Sequence, residues 1–351
     1  MKKIILLTIG MLLFVMMIFS SEALGLSVQA QRMDLVSEES IDNLMGRCIN
    51  YRIDTLYVPI ISFMESLYES RILPRSNVLI NNGTPLHFDP LGYAMKKGET
   101  FGIRIIPVID FLTVWPSQDF PNNLLHVSKT QPDWLSRNIQ GKLLYDPVFL
   151  DPGVPQVQEF IISLIREILI QYKPSQLAFS NFFYPNPEYG YNPYALKEYE
   201  QYLRDNHSSI VNFDTFRQSV LSDVIKRLSS LVQSLGLSTK LIIYHTSQYE
   251  RALDEHFQDW VYWLNKGYAD LGIMWYWFSD KKNVAHDTQW ALEHVIGQRV
   301  VPAFSPDRLQ YSQFLIVMNT ILDFPVTSIV VDTNEAHLLQ ILNDNQVGIT
   351  R

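Results

Sequence analysis

The chain has 351 residues, of which 28 are Lys or Arg and 36 are Asp or Glu, so its formal net charge is −8. An acidic chain lacks the basic face that a nucleic-acid partner selects, so no nucleic-acid role is expected. Cys48 is the single cysteine, which excludes an intrachain disulfide and any cysteine-based metal site.

The chain opens on a short basic start, Met1-Lys2-Lys3, followed by an almost wholly apolar run from Ile4 to Phe19 and a small-residue stretch ending at Gly25. That is the pattern of a secretory signal peptide over residues 1–25, so export to a periplasmic, cell-envelope or extracellular location is expected. An uncleaved anchor is the alternative, although about 16 apolar residues are short for a membrane span. No span is expected in the mature chain, and residues 26–351 are long enough for one large domain.

From there, short β-branched and apolar runs alternate with longer helical patterns. The first run covers about Leu26–Val36, and Ser37-Glu38-Glu39-Ser40 opens a helix to about Asn50, with acids in its first turn. The second run is Ile53–Ile60, and a helix over 88–102 ends at Gly102. The third is Ile103–Asp110, followed after a long loop by an amphipathic helix over 154–172 with Pro155 at its start. The fourth, "QLAFSNFFYP", occupies 176–185 and leads to two further helical patterns. The fifth is Thr239–His245, with a helix over 255–266; the sixth is Tyr268–Trp277, with a helix over 284–296. The seventh is Gln298–Phe304, with a helix over 310–323; the eighth is Thr327–Asp332, with a last helix from Glu335 to Leu342.

Apolar strands separated by amphipathic helices imply a parallel sheet buried on both faces. Eight such units predict an α/β fold, a (β/α)8 TIM barrel with enlarged loops after strands two, three and four. An open doubly wound sheet is the alternative, weakened because no Gly-rich phosphate fingerprint follows the first strand; no cofactor is expected.

Sites in such barrels sit at the C-terminal strand ends. Those ends offer Asp110, Asn181 with Tyr184, His245, Tyr276 with Trp277, Phe304 and Asp332, and the loops add Glu65, Trp115, His126 and Asp151. The two rim acids, Asp110 and Asp332, are the candidate catalytic pair; the glycoside hydrolysis that the family resemblance given next implies needs two carboxyl groups across the scissile bond. Their strands are not neighbours, so a retaining gap of about 5 Å is disfavoured and an inverting gap of roughly 6.5–9.5 Å is possible. Asp110 could equally hydrogen-bond a sugar or serve structure, and Asp332 could cap the helix that follows it. Asp151, just before a helix, reads as a cap or turn residue. His245 is either a buried, hydrogen-bonded histidine or a substrate contact. Asn181, Tyr184, His245, Tyr276, Trp277 and Trp115 are the candidate substrate-binding set. Trp275, Tyr276 and Trp277 alternate, so Tyr276 faces opposite to both tryptophans. No metal is expected, since His245, His256 and His294 show no helical ligand pair and no two-histidine, one-carboxylate spacing stands out.

Several segments resemble the bacterial glycosyl-hydrolase-like family 10 domain. They are "SLYESRILPRSNVL" (66–79), "HFDPLGYAMKKGETFGI" (87–103), "QPDWL" (131–135), "FLDPGVPQVQEFIISLIREIL" (149–169), "FFYPNPEYGYNPYALKEY" (182–199), "FRQSV" (216–220) and "QDWVYWLNKGYADLGIMWYW" (258–277). The resemblance implies a secreted barrel acting on bacterial envelope polysaccharide. Where the family's fourth strand carries two acids, a His and an Arg, this chain has Ser175–Pro185 with none of them; Ser180 and Asn181 stand near the acid positions. Where the family's third strand ends in Asn, this chain has Asp110. The expectation is therefore a glycoside-hydrolase-like protein that binds an envelope glycan with weakened or lost activity. An active glycosidase using Asp110 with another rim acid is the alternative, and a non-catalytic envelope scaffold is the third reading.

Overall fold

The computed structural model describes residues 25–116, 121, 123–144, 146–206, 212–276, 280–305 and 311–332. The leader, Trp277 and the expected final helix lie outside the described residues. Eight parallel strands form the wall: β1 (Gly25–Gln29), β2 (Thr55–Ser62), β3 (Arg104–Asp110), β4 (Gln176–Ser180), β5 (Lys240–Thr246), β6 (Leu271–Trp275), β7 (Val300–Phe304) and β8 (Ser328–Val331). Each pairs with the next, and β8 returns to β1 through Leu26–Ile329 and Val28–Val331, so the barrel is closed. Closure leaves no open edge for another chain to extend.

Register explains the tilt. Pairings run Val108–Ala178, Ala178–Ile242 and Ile242–Leu271, and continue through Val300–Gly272, Ala303–Val330, Val28–Val331, Val28–Leu56 and Leu56–Ile105. Carried round the ring, these offsets return to β3 displaced by about eight residues, the stagger of a TIM barrel. Strand alternation then separates two layers. Tyr57, Ile106, Val108, Ala178, Ile242, Tyr244, Ile273, Trp275, Val301, Ala303 and Val330 fill the barrel interior. Residues one position away, such as Ile105, Phe179, Ile243, Met274, Phe304 and Val331, belong to the layer beneath the helices.

The helices follow from their patterns. In the helix Pro155–Tyr172, Val157, Ile161, Ile162, Leu164, Ile165, Ile168 and Leu169 recur at three- and four-residue spacing and are buried. Burial of such side chains contributes roughly 1.5–3 kcal/mol each. Pro155 starts the helix and Lys173, at φ 46°, ends it. The first sequence run proves to be a short strand followed by a 3-10 turn over Arg32–Leu35. The pattern at 255–266 is two helices, Tyr249–His256 and Trp260–Asn265, separated at Phe257, whose φ of 57° ends the first. The loops after β2, β3 and β4 are enlarged, and that after β3 carries a small antiparallel pair, Thr113–Trp115 with Val148–Phe149.

Candidate functional site

A cleft of about 490 Å³ opens at the C-terminal mouth of the barrel, the size of an ordinary small-molecule site. Its lining includes Gln29, Asp110, Ser180, Asn181, Tyr244, Trp275 and Asp332. All of these except Asn181 belong to the inward-facing register of their strands or continue it by one step. Asp110 is two residues beyond Val108, Ser180 two beyond Ala178, and Asp332 two beyond Val330.

Among the described residues, Asp110 and Asp332 are the two carboxyls of the cleft lining. Burial pushes the Asp110 carboxyl up to about 6, opposed in part by hydrogen bonds from Thr113 and Asn181. Asn181 Nδ2 donates to Asp110 Oδ1 at 3.1 Å, and the Thr113 amide reaches the same oxygen at 3.4 Å. Asn181 has φ 51°, a left-handed conformation that asparagine tolerates well. The turn it makes sends Phe182 and Tyr184 into the core while Phe183 lines the cleft. Asp332 accepts from Gln31 Nε2 at 3.0 Å. Each carboxyl thus leans on a carboxamide from another segment of the barrel mouth.

The floor is aromatic. Tyr244 meets Tyr57 edge-on at 6.2 Å and Trp275 at 6.3 Å, and its hydroxyl donates to Gln29 Oε1. Phe183 and His256 pack at 4.9 Å on one side of the mouth, beside Arg251.

Three expected substrate contacts lie elsewhere. Tyr184 is fully buried, its ring edge-on to Phe257, because the left-handed residue Asn181 breaks the strand alternation that would have turned it to the cleft. Tyr276 stacks on Phe304 at 5.2 Å and hydrogen-bonds Thr288, in the layer under the helices; Trp275 is the ring that faces inward. Trp115 packs on Phe63 and His126 and stands outside the cleft lining.

His245 borders the cleft, but its ring stacks on Trp260 at 3.8 Å in the outer layer. Its Nδ1 donates to the Thr246 carbonyl, which fixes Nε2 as a bare acceptor with no partner. Burial drives its pKa down to about 3, so the ring is neutral and unsuited to donate a proton. Gly272 lies where a Cβ would come within 2.6 Å of Nε2, so the absence of a side chain there makes room for the imidazole.

The loop acids serve structure. Glu65 accepts from Ser76 and Asn77, satisfying the first turn of the helix Asn77–Asn81. Asp151 is buried and accepts from the Gly153 and Asn192 amides and from Ser136, as its position before a helix predicts. His126 is held between Ser128 and the Phe63 carbonyl. Among the described residues, no three His, Cys, Asp or Glu side chains converge as metal ligands, and no helix is long and apolar enough to cross a membrane.

Gln29, Tyr244 and Trp275 are among the cleft residues that strand ends alone do not single out. Their signal is parity: each shares the alternation that carries Asp110 or Asp332 inward, once a single inward residue per strand is known.

A family model described as glycosyl hydrolase-like 10 matches residues 23–301. Glycosyl hydrolase YngK of Bacillus subtilis (strain 168) is 22% identical over 282 residues, which are 75% of this chain and 52% of the relative. Glycosyl hydrolase DigH of Escherichia coli (strain K12) is 21% identical over 279 residues, 72% of this chain and 61% of the relative. The matched region therefore spans about half to three-fifths of these relatives. Among solved structures, the catalytic domain of β-amylase from Paenibacillus polymyxa superposes with a TM-score of 0.60 at 12% identity, covering 93% of this chain and 95% of that one. Alpha-L-fucosidase isoenzyme 2 from Paenibacillus thiaminolyticus gives a TM-score of 0.59 at 10% identity over 93% of this chain and 48% of that one. At such identities these likenesses establish the shared (β/α)8 fold.

Proposed function

The chain belongs to the glycosyl hydrolase-like 10 family, and from that premise we propose that it is an exported protein that binds an envelope polysaccharide in the barrel-mouth cleft and hydrolyses it with Asp110 and Asp332. The carrying observation is that these two inward carboxyls line one open cleft over an aromatic floor. Two carboxyls flanking a sugar are what glycoside hydrolysis requires. Trp275 and Tyr244 offer apolar surface to a sugar ring, while Asn181, Ser180 and Gln29 offer hydrogen-bond donors and acceptors to its hydroxyls. The basic start and apolar run of residues 1–19 support export, and the family supports a carbohydrate ligand.

A second reading, binding without cleavage, is favoured by one observation: β4 ends in Ser180-Asn181 and brings no acid. The two readings separate in an assay of purified mature protein with isolated cell-wall glycan strands, secondary wall polysaccharide and chitooligosaccharides. Hydrolysis predicts new reducing ends from wild type and at least a hundredfold loss in Asp110→Asn, the low end of what removing a catalytic acid or base costs. Binding with no release by wild type would establish the second reading. Neither binding nor release would defeat the glycan assignment.

A further inference from the structure

One wall of the cleft is made by two chain segments that clamp each other. Gln258 Nε2 donates to the Phe182 carbonyl at 3.2 Å, just past β4, and to the Tyr244 carbonyl at 2.9 Å on β5. His256 Nδ1 bonds the Tyr184 carbonyl at 3.1 Å, and the Tyr184 amide donates back to the His256 carbonyl at 3.2 Å. Phe257, at φ 57°, is buried between them, while His256 and Gln258 both line the cleft and Phe183 packs on His256.

These bonds fix how the two side chains are turned. A backbone carbonyl only accepts, so both contacts of Gln258 come from its NH2 group and the amide cannot be flipped. Its Oε1 is neither bonded to protein among the described residues nor sealed off from the cleft, although the residue as a whole is 1% exposed. The same logic puts the proton of His256 on Nδ1 and leaves Nε2 open to the cleft. Burial holds the His256 pKa below its ordinary value, so the neutral ring presents Nε2 as an acceptor.

Both side chains have committed their donors to the backbone and offer the cleft acceptors alone. Water can satisfy such acceptors until a ligand displaces it. A ligand that brings no donor then leaves a buried acceptor unpaired, which weakens binding by about one to two powers of ten. A site built to bond an O–H or N–H rejects the analogue that lacks it for this reason.

We propose that Gln258 is a specificity-determining residue of the cleft: its Oε1 accepts a hydrogen bond from a hydroxyl or an acylamino N–H of the bound glycan, with His256 Nε2 as a second acceptor on the same wall. This rests on the glycan reading above. A sugar that turns an ether or carboxylate oxygen to this wall is disfavoured, because acceptor meets acceptor.

The test titrates purified mature protein by calorimetry with isolated cell-wall glycan strands, secondary wall polysaccharide, chitooligosaccharides and cellooligosaccharides. Wild type is compared with Gln258→Lys and Gln258→Met. A lysine ammonium can still donate to the Phe182 and Tyr244 carbonyls but carries no acceptor, and methionine supplies no donor for them. Both variants are expected to bind at least about tenfold more weakly than wild type, with Gln258→Lys folded by circular dichroism. Loss on chitooligosaccharides alone identifies an acylamino N–H as the donor, and loss on cellooligosaccharides as well identifies a hydroxyl. Fragments of the bound glycan with one hydroxyl removed or one amide N-methylated complete the experiment. One of them should bind wild type about tenfold more weakly than its parent does, and should bind wild type and Gln258→Lys alike. Unchanged affinity in Gln258→Lys assigns the side chain to the loop clamp alone and overturns the inference, while the glycan reading stands. If neither variant folds, the fragments decide with wild type, and a panel in which every fragment matches its parent overturns the inference. No binding of any of these glycans by wild type removes the glycan reading, and the inference with it.

Discussion

Replacing His245 by Phe should remove an acid-sensitive element from the barrel wall. The imidazole is buried against Trp260, its Nε2 has no partner, and its pKa lies near 3 in the folded chain against about 6.5 when unfolded. A folded-state value below the unfolded one means that the unfolded chain takes up a proton first as pH falls. The histidine's contribution is thus intact above about pH 6.5 and is lost progressively on acidification toward pH 3. At 1.36 kcal/mol per unit, protonating the unfolded histidine costs the fold about 2 kcal/mol between pH 7 and pH 5. That figure holds for any folded value well below 5. Phe keeps a ring against Trp260 and removes the titration. Urea unfolding followed by tryptophan fluorescence at pH 7, 6 and 5 gives the free energies by linear extrapolation. Wild type should lose about 2 kcal/mol more than His245→Phe over that interval. Asp110 and Asp151, whose carboxyls are held up near 6, act in the opposite sense in both proteins and cancel in the comparison. Parallel pH curves for the two proteins would refute the assignment of a buried, neutral His245.

Asn181→Asp places a second carboxyl 3.1 Å from Asp110 in place of an amide donor. Like charges at that range raise the pKa of one partner further, so a limb of the hydrolysis profile should move to higher pH, measured as kcat/KM against pH. An unmoved profile would remove Asp110 from the catalytic pair. Arg217 is 2% exposed, donates to the Pro187 and Tyr189 carbonyls and stacks over Phe257 at 3.8 Å. Arg217→Met leaves those carbonyls without their donor, so a loss of about 2–3 kcal/mol and a fall in Tm on the order of 5 °C are expected by calorimetry.

The eight repeats were legible because each is a local pattern: apolar runs such as Ile103–Asp110 and the spacing of Val157, Ile161, Ile165 and Ile168 need no distant partner to be recognised. The same alternation placed Tyr276 opposite to Trp275 but did not say which of them faces the barrel axis. Tyr184 was misplaced because one left-handed residue, Asn181, breaks the strand alternation just past β4. His245 ends its strand as expected, yet it points outward because Ile242 and Tyr244 hold the inward positions.

By itself, the sequence determined the order of strands and helices, the acidic charge and the identity of the two rim carboxyls, since composition and short-range period carry those. Only the tertiary structure decided that Asp110 and Asp332 share one cleft, that Trp275 and Tyr244 form its floor and that Tyr276 and Tyr184 do not reach it. The physical reason is closure: joining β8 to β1 with a fixed stagger selects which alternate residue points inward and brings positions more than two hundred residues apart to one level.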